Sequence, residues 1–428
     1  MKVAVIGGGY AGMAAAATLA ERRIPITVFE AARTLGGRAR RVEYQGLALD
    51  NGLHVLIGAY TELLRLVRLV GEDPARLFLR TPLTWQIQDR LAFKVARLPA
   101  PLHMLGGLLA SHGLTLIERL DVIRFMLRMR RRDYRLTADV GVSELLDEEG
   151  QKGRARHLLW RPLCISALNT PPETASAQVF LHVLRDGLGA APEASDLLLP
   201  RVDLSALFPE PASRYVDARG GSIRTGERVT AIDTVDGKYV VETAGGKDVF
   251  THVICALPPY RVNAFLVGVT ALAEVAEMID QMTYQPIHSV YLGFPETVRL
   301  PTPMLGFDSD ILQWAFDRGV LCDQPGVIGL VISAEGTHES LPHDALADLC
   351  YRELQQQLGQ LPAPTWHRVI AEKRATFACR PGLRRPPSAT PLRNLYLAGD
   401  YVASDYPATL ESAVRSGIAA ARLILEKA

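Results

Sequence analysis

Three glycines near the start of the chain have the spacing of a dinucleotide-binding turn. Gly7, Gly9 and Gly12 follow a short apolar run, and an alanine-rich run comes after them. In such a turn the first glycine permits a sharp bend, the second lets the backbone approach a pyrophosphate, and the third lets a helix pack closely on the strand. Glu30 closes the next apolar run, at the distance from which an acidic side chain accepts hydrogen bonds from ribose hydroxyls. The pattern predicts an ADP-binding site; a glycine turn that binds nothing is the alternative.

A second polar segment follows directly. Arg33 and Arg38 flank the pair Gly36-Gly37, where guanidinium groups and backbone amides can meet phosphates. This run resembles the flavin amine oxidase and phytoene desaturase superfamily, whose members follow the ribose-binding Glu with a GGR turn. The resemblance implies FAD rather than NAD. No cysteine motif for covalent flavin attachment accompanies it, so we expect the FAD to be bound non-covalently.

The C-terminal part of the chain resembles the second FAD fingerprint of the same superfamily. An apolar run ends in Gly399-Asp400, and a helix is predicted to begin near Pro407 and to continue to about Lys427. The resemblance implies that the Gly-Asp pair contacts the pyrophosphate and ribityl chain and that the helix N-terminus faces the flavin ring. Together, the glycine motif and the resemblance assign the following residues to the cofactor: Gly7, Gly9, Gly12, Glu30, Arg33, Gly36, Gly37, Arg38, Val229, Gly399, Asp400, Thr409 and Leu410.

Internal runs narrow the resemblance to one family. The runs ALNTPPE at 167–173, SDLLLPRVDLS at 195–205 and FPEP at 208–211 are similar to those of the hydroxysqualene dehydroxylases, and the likeness extends over essentially the whole chain. For that family the resemblance implies reductive removal of the hydroxyl of hydroxysqualene, which gives squalene. Hydride from reduced FAD would quench an allylic cation, and the substrate would be a polyisoprenoid lipid. The resemblance leaves the reductant of FAD open.

Departure of the hydroxyl as water requires an acid, or a group that holds a water serving as one. Our candidates are Asp50, His54 and Asp405, because they lie in the two segments expected to meet at the flavin. We do not choose among the three. For the first two, a simple turn at 50–52 with a histidine satisfied in the core is the alternative. Substituting each one singly is expected to leave FAD bound and to depress turnover.

Other functions remain open beside this hypothesis. A desaturase of carotenoid precursors would use the same fold with the hydride moving in the opposite direction. An amine oxidase needs an aromatic cage beside the flavin, for which Tyr401 and Tyr406 are available. A catalytically silent flavin-binding scaffold could instead present lipid to a partner synthase.

The length of 428 residues exceeds what one hydrophobic core organises, so we expect at least two domains. The fold class predicted is α/β, with a Rossmann-type FAD-binding domain like that of the flavin amine oxidases and an interleaved α+β substrate domain. The FAD-binding domain is expected to have three parts, at residues 1–80, 213–265 and 385–428. The substrate domain is expected to have two, at 81–212, which also faces the membrane, and at 266–384.

Composition excludes several classes of protein. With 47 basic and 46 acidic residues, the net charge is +1, so no global field recruits nucleic acid. Five cysteines, odd in number and widely separated, indicate reduced thiols in a cytoplasmic protein and no metal site or disulfide framework. The opening apolar residues belong to the nucleotide motif, so we expect no signal peptide. Cys255 is expected to be an inert buried thiol.

One region suggests contact with a membrane. From Leu98 to Arg132 the chain combines apolar runs with an amphipathic segment that ends in three arginines, and Leu120, Ile123 and Leu127 fall on one helical face. An apolar patch beside a basic cluster is typical of peripheral attachment, here to the inner membrane. A buried helix with a solvated charged end is the alternative, and we leave both open.

Overall fold

The structure, a computed structural model, describes residues 1–100, 102–188, 191–266 and 269–426. Pro101 in the proposed membrane region and Lys427 at the predicted helix end lie outside these residues. The strands are β1 Val3–Ile6, β2 Ile26–Glu30, β3 Arg41–Tyr44, β4 Leu47–Asp50, β5 Leu56–Ile57, β6 Phe78–Thr81, β7 Thr84–Ile87, β8 Leu91–Lys94, β9 Leu197–Pro200, β10 Ser222–Thr225, β11 Val229–Val235, β12 Lys238–Thr243, β13 Gly246–Phe250, β14 His252–Cys255, β15 Tyr284–Gly293, β16 Met304–Gly306, β17 Trp314–Asp317, β18 Val327–Ser333, β19 Trp366–Phe377 and β20 Leu395–Leu397.

The α-helices are interspersed among these strands. One π-helical segment, Arg156–Trp160, connects two consecutive α-helices. The α-helices are α1 Tyr10–Glu21, α2 Thr61–Leu69, α3 Pro74–Leu77, α4 Leu102–Leu109, α5 Leu116–Arg131, α6 Val142–Glu148, α7 Gly153–Ala155, α8 Arg161–Leu168, α9 Ala177–Leu188, α10 Leu204–Leu207, α11 Pro209–Asp217, α12 Pro259–Leu266, α13 Ala273–Asp280, α14 Arg318–Cys322, α15 His343–Leu358 and α16 Leu410–Leu425.

A parallel sheet forms the nucleotide-binding part of the molecule. Its strand order is β10-β2-β1-β14-β20, so it joins segments that are almost four hundred residues apart. The predicted strand, turn, helix and strand at the start of the chain are confirmed as β1, α1 and β2. The sheet takes strands from all three parts of the predicted FAD-binding domain, and the domain limits themselves stay a prediction.

Small residues let two helices pack tightly against this sheet. α1 is buried on nearly every side because it lies between the sheet and the C-terminal helix α16. A side chain at Gly417 of α16 would place its Cβ 2.1 Å from the carbonyl oxygen of Ala11. The alanine-rich composition of α1 is therefore a condition of this close contact rather than a consequence of helix propensity alone.

A second sheet, of mostly antiparallel strands, forms the other part of the molecule. Its order is β19-β15-β18-β17-β16-β7-β8, with β16 and β7 parallel. Successive side chains of each strand point to opposite faces of this sheet. In β17, Ala315 belongs to the core packed with α15, whereas Trp314 and Phe316 belong to the core on the opposite face. That opposite face looks toward the cavity described below.

A tight hairpin turns at Asp236-Gly237, a residue pair that favours such turns. β11 and β12 pair antiparallel from Val235 and Lys238 onward, and both turn residues have positive φ, 51° and 71°. This is the backbone that a tight two-residue hairpin turn requires. The hairpin and β13 form a small sheet of their own, which places Val229 beside the parallel sheet.

The amphipathic segment forms helix α5. Thr115 and Glu118 make a reciprocal capping box at its start. The buried residues of α5 are Val122, Phe125 and Met129, whereas Leu120 and Leu127 are exposed. In the described part of the chain, no helix combines the length and apolar character needed to cross a membrane.

Candidate active site

One cavity of about 1060 Å³ runs between the two sheets. Glycine turns and polar side chains line one end, which we call the nucleotide end. Aromatic and aliphatic side chains line the other, which we call the apolar end. The predicted cofactor site and the predicted substrate domain therefore share a single space.

Two glycine turns face each other at the nucleotide end. The amide of Gly36 donates a hydrogen bond to the carbonyl of Gly8 over 2.9 Å. A Cβ added at Gly9 would lie 3.8 Å from the Cα of Gly37 and would enter the space between the turns. Gly9 also caps α1 without a side-chain hydrogen bond, so the first amides of the helix stay available to an anion. These features fit a pyrophosphate.

Gly7 and Gly12 are required by packing. Gly7 has φ +110°, which side chains other than glycine rarely adopt, and a Cβ there would lie 2.6 Å from the carbonyl oxygen of Ala256. At Gly12, a Cβ would lie only 1.9 Å from the carbonyl oxygen of Gly7. Helix α1 can therefore start where it does only because both positions lack a side chain.

The Glu30 carboxylate is held at the edge of the nucleotide end. One oxygen accepts a hydrogen bond from the amide of Gly8 over 2.7 Å, and the other accepts from the amide of Ala32 over 2.8 Å. Each carboxylate oxygen can accept a further bond. The arrangement fits the ribose hydroxyls of an adenosine group.

Arg38 connects the first cofactor segment to the last. Its Nη2 donates to Oδ1 of Asp400 over 2.6 Å, and its Nη1 donates to the carbonyl of Ala375 over 2.8 Å. Asp400 is buried, so this charged pair is partly withdrawn from solvent. The pair fixes the relative position of two fingerprints that the sequence separates widely.

The predicted cofactor residues fall into two groups. Gly12 and Arg33 are outside the cavity lining, because Gly12 lies beneath the turn and Arg33 is exposed to solvent. The others line the cavity: Gly7, Gly9, Glu30, Gly36, Gly37, Arg38, Val229, Gly399, Asp400, Thr409 and Leu410. Their individual contacts with a cofactor stay a prediction.

Sequence reasoning missed several polar residues of the lining. Arg40 donates to the carbonyl of Gly37 over 2.7 Å and so braces the second glycine turn. Asn51 donates to the carbonyl of Arg38 over 2.9 Å and to Glu372 over 3.2 Å. The closeness of Arg40 to the GGR turn was a usable signal. Glu372 is brought to the site by β19 and begins the run 372–377, which is similar to the family but carries no catalytic motif.

Two tryptophans dominate the apolar end. Trp85 and Trp314 meet edge to face with ring centroids 4.8 Å apart. Each indole N–H donates a hydrogen bond within the protein, that of Trp85 to the carbonyl of Leu158 and that of Trp314 to the hydroxyl of Ser166, both over 3.0 Å. Their neighbours in the lining are mostly aliphatic and include Leu83, Leu163, Ala167, Val183, Leu184, Leu197, Ile287, Met304, Phe316 and Val331. This end is suited to a long hydrocarbon.

Of the three catalytic candidates, His54 lies in the cavity lining. Its Nδ1 is 2.8 Å from the carbonyl of Gly52, which can only accept, so Nδ1 carries the proton. Burial lowers the pKa of His54, and the Gly52 carbonyl only partly opposes this. The ring is therefore neutral at pH 7, and its Nε2 is an acceptor.

Asp50 and Asp405 are not among the described residues that line the cavity, whereas His54 is. Asp50 is buried, where it accepts from the amide of Leu204 over 2.8 Å and pairs with Arg318 over 3.3 Å. Burial raises its pKa to about 6, although Arg318 opposes the shift. Asp405 is exposed and lies 3.8 Å from Arg185. Catalytic roles for these two residues stay a prediction without a contact to the cavity.

Tyr406, which the sequence offered for an aromatic cage, lines the cavity beside Asp186, which was not expected. The phenol of Tyr406 hydrogen-bonds to the carboxylate of Asp186. Burial raises the pKa of Asp186, but hydrogen bonds from Arg185 and Tyr406 lower it more, so the carboxylate is ionised. Cys255, by contrast, is buried, and burial raises the pKa of its thiol to about 12. It is an inert thiol, as predicted.

Known proteins resemble the chain over its full length. The hydroxysqualene dehydroxylase of Rhodopseudomonas palustris is 29% identical over 99% of this chain and 98% of that protein. The corresponding protein of Sinorhizobium fredii is 28% identical over the same shares. The zeta-carotene desaturase of Arabidopsis thaliana is 23% identical over 100% of this chain and 85% of that protein.

Solved structures share the fold. An oxidoreductase from Methanosarcina mazei superposes with a TM-score of 0.74 at 14% identity, with all of both chains covered. The family described as flavin containing amine oxidoreductase matches residues 10–425, which is nearly the whole chain. The fold is thus the mixed α/β fold of the flavin amine oxidases, as predicted. The chain belongs to the flavin containing amine oxidoreductases and is an oxidoreductase that uses a flavin cofactor.

Proposed function

We propose that the chain is an FAD-dependent hydroxysqualene dehydroxylase, which reductively removes the hydroxyl of hydroxysqualene and releases squalene. One observation carries the proposal: a single cavity joins a dinucleotide-shaped end to a long apolar end. The names of the Rhodopseudomonas palustris and Sinorhizobium fredii relatives support this choice of substrate.

The proposed cofactor is non-covalent FAD. Bound FAD, once reduced, supplies a hydride. The protein's part is to bind and orient it, and the residues suited to this are the opposed glycine turns, the Glu30 carboxylate and the Arg38–Asp400 pair. Cys255, the one cysteine next to the nucleotide-end segment 256–258, is buried and protonated, which supports non-covalent binding.

The apolar end would hold the isoprenoid chain and exclude water. Ionisation of an allylic C–O bond leaves a cation that water would recapture, so a dry site is necessary. Trp85 and Trp314 contribute apolar rings there, and their N–H groups are already hydrogen-bonded to Leu158 and Ser166. Dense aromatic walls also provide electron-rich faces that favour a nearby cation.

We assign the handling of the leaving hydroxyl to His54 and to groups near it. Because its Nδ1 is committed to Gly52, its Nε2 can accept a hydrogen bond from the substrate hydroxyl or from a water. His54 would thus hold the leaving hydroxyl, or a water beside it, in a fixed position. Tyr406, whose phenol keeps its proton toward Asp186, is a second hydroxyl in the same lining.

Two alternatives differ from this proposal in what they require. A carotenoid desaturase is favoured by the relative from Arabidopsis thaliana, and it would accept hydride from its substrate. An amine oxidase would need its cage of two tyrosines. In the described lining Tyr406 is present but Tyr401 is not, because Tyr401 is fully buried elsewhere in the core.

Anaerobic stopped-flow spectroscopy tests the proposal. The full chain with bound flavin is photoreduced and mixed with hydroxysqualene, and the flavin spectrum and the product are followed together. We expect rapid reoxidation with squalene formed in equal amount. The variant Trp314→Asp, which puts a charge in the apolar end, should keep its flavin and lose this reaction.

Three other outcomes would overturn the proposal. Silence with hydroxysqualene, followed by bleaching of the oxidised flavin with a polyene precursor, would establish a desaturase. Silence with both substrates and bleaching with an amine would establish an amine oxidase, and silence with all three would favour a scaffold.

A further inference from the structure

Exposed apolar side chains are concentrated in one stretch of the molecule. Large apolar residues of the described chain are exposed at Leu98, Leu102, Leu109, Leu116, Ile117, Leu120 and Leu127, which we call the leucine patch. Ile117 and Leu116 are the most exposed, at 71% and 63%. Such a set of large side chains in solvent is unusual for a protein surface that contacts only water.

The leucine patch is held on a rigid support. The Arg119 side chain donates to the carbonyl of Leu109 over 2.6 Å and to that of Leu114 over 3.1 Å, which ties the end of α4 to the start of α5. Leu98 lies against α4, since a Cβ at Gly106 would be 3.2 Å from its Cδ1. The two helices therefore present their exposed residues together.

Along α5 three exposed leucines form one stripe, and Ile117 lies at its side. At about 100° per residue, Leu116, Leu120 and Leu127 fall within an arc of about 40°, opposite the buried face of the helix. Arg130 and Arg131 fall on either side of this stripe. The arrangement is that of a helix lying in a membrane interface, with apolar residues inward and cations at the edges.

The arginines of this region are not equivalent. Arg128 and Arg132 both pair with Glu149, at 2.5 Å and 2.9 Å, and Arg124 pairs with Asp121 at 2.9 Å. For Arg130 and Arg131, both exposed, the described chain provides no ion pair. Between Lys94 and Arg132 the sequence has eight basic and two acidic residues, whereas the whole chain is nearly neutral. Free cations thus surround the leucine patch.

We propose that the leucine patch inserts into the surface of an anionic lipid bilayer, with Arg130 and Arg131 contacting lipid phosphates. Charge decides between this partner and a second copy of the chain. A twofold dimer through the same surface would put the same excess of basic residues on both sides of the interface and would supply no acidic counterpart. Anionic head groups instead attract them.

The patch lies one layer away from the cavity. The amide of Ala96 donates to the carbonyl of His103 in α4 over 3.0 Å, and the amide of Val95 donates to the carbonyl of Leu83 over 3.1 Å. Leu83 lines the apolar end. If the proposed function holds, and this step rests on it, docking places the apolar end next to the bilayer from which its substrate comes.

Vesicle sedimentation of the full flavin-bound chain tests the docking without any turnover. The vesicles are phosphatidylcholine alone or mixed with phosphatidylglycerol. The variant L116Q/I117Q/L120Q should bind both vesicle types at least about tenfold more weakly. The variant R130Q/R131Q should lose affinity for the anionic vesicles only. V235Q/V249Q, which removes exposed valines from the β11–β13 sheet, should bind like the unchanged chain.

Equal vesicle binding by the unchanged chain and L116Q/I117Q/L120Q would overturn the proposal. So would the absence of vesicle binding together with a dimer that this variant converts to a monomer, which would assign the patch to a second copy. Flavin absorbance and the unfolding temperature show that each variant is folded. Since no substrate is present, failure of the proposed function would leave the vesicle result unchanged.

Discussion

Arg38 is the residue through which the two cofactor fingerprints touch. Arg38→Ala would remove its bonds to Asp400 and Ala375 and leave a buried carboxylate without its cation. We expect the flavin-free protein to lose about 1.5–3 kcal/mol of unfolding free energy, the range for a lost bond to a charged group. Flavin affinity should fall as well. Urea unfolding and flavin titration measure the two effects.

Arg33→Ala is the matched control for this change. Arg33 is exposed and outside the cavity lining, although sequence reasoning placed both arginines at the phosphates. The control should leave stability and flavin affinity unchanged. A loss of flavin affinity equal to that of Arg38→Ala would contradict the placement of the two residues.

His54 carries the strongest catalytic prediction. His54→Phe removes the free Nε2 acceptor from the lining, so turnover should fall by about a hundredfold or more with flavin still bound. Asp405→Asn, at an exposed position, should leave turnover nearly unchanged. Steady-state rates with flavin absorbance as a check measure both variants. An equal loss of turnover in the two variants would show that Asp405 also acts in the active site.

A buried histidine pair should make stability depend on pH. Burial lowers the pKa of His288 to about 4, and the neighbouring His338 adds to this, with ring centroids 4.8 Å apart. As the pH falls, His288 is protonated in the unfolded chain near pH 6.5 but in the folded protein only near pH 4. The stability present above pH 6.5 is therefore lost as the pH falls toward 4. Between pH 7.5 and 5, the unchanged protein should lose about 2 kcal/mol more than His288→Phe, at about 1.4 kcal/mol per unit.

Urea unfolding at both pH values measures this difference. The exposed His112 provides the control, because His112→Gln should show the same loss as the unchanged protein. Identical pH slopes for His288→Phe and the unchanged protein would show that His288 is not the group responsible.

At the scale of single elements, local patterns were good predictors. The glycine turn, the Asp236-Gly237 hairpin and helix α5 with its Thr115 cap each depend on residues close together in sequence. What α5 packs against could not be read in this way, because Phe125 and Met129 bury against residues from other helices. One face of that helix is buried, as the buried-helix interpretation requires, and the other face is exposed; attachment to a membrane stays a prediction.

The glycine turn offers a test that separates folding from binding. Gly9→Ala places a methyl group in open space between the two turns, at a normal backbone angle, so the fold should be unaffected while flavin binding weakens. Gly12→Ala would instead force a Cβ against the Gly7 carbonyl and should destabilise the fold by about 1–3 kcal/mol. Thermal unfolding of the flavin-free proteins, followed by flavin titration, distinguishes the two. Equal stability losses would contradict this division.

At the scale of the whole molecule, the residues of the nucleotide end could be predicted from the sequence, whereas those of the apolar end could not. The nucleotide end carries fingerprints because phosphate binding demands particular residues at fixed spacing. The apolar end is built by Trp85 of β7 and Trp314 of β17, whose strands meet only through β16 in the large sheet. A hydrocarbon requires only shape and apolarity, so no spacing marks those residues.

Flavin binding should slow hydrogen exchange at two segments that are far apart in the sequence. Hydrogen exchange with saturating flavin should slow together at the turn after β1 and at the start of α16, because both line the nucleotide end. Helix α15, which packs on the opposite face of the large sheet, should exchange at the same rate with and without flavin. Protection at one fingerprint alone would contradict a shared site.

The contact between α1 and α16 also has a consequence for biosynthesis. Strand β20 and helix α16 complete the parallel sheet and the nucleotide end, and they are synthesised almost four hundred residues after the first glycine turn. At about 5–20 residues per second, the growing chain spends roughly 20–90 seconds with its first glycine turn exposed and unsupported. The complete cofactor site therefore forms only after α16 has been synthesised.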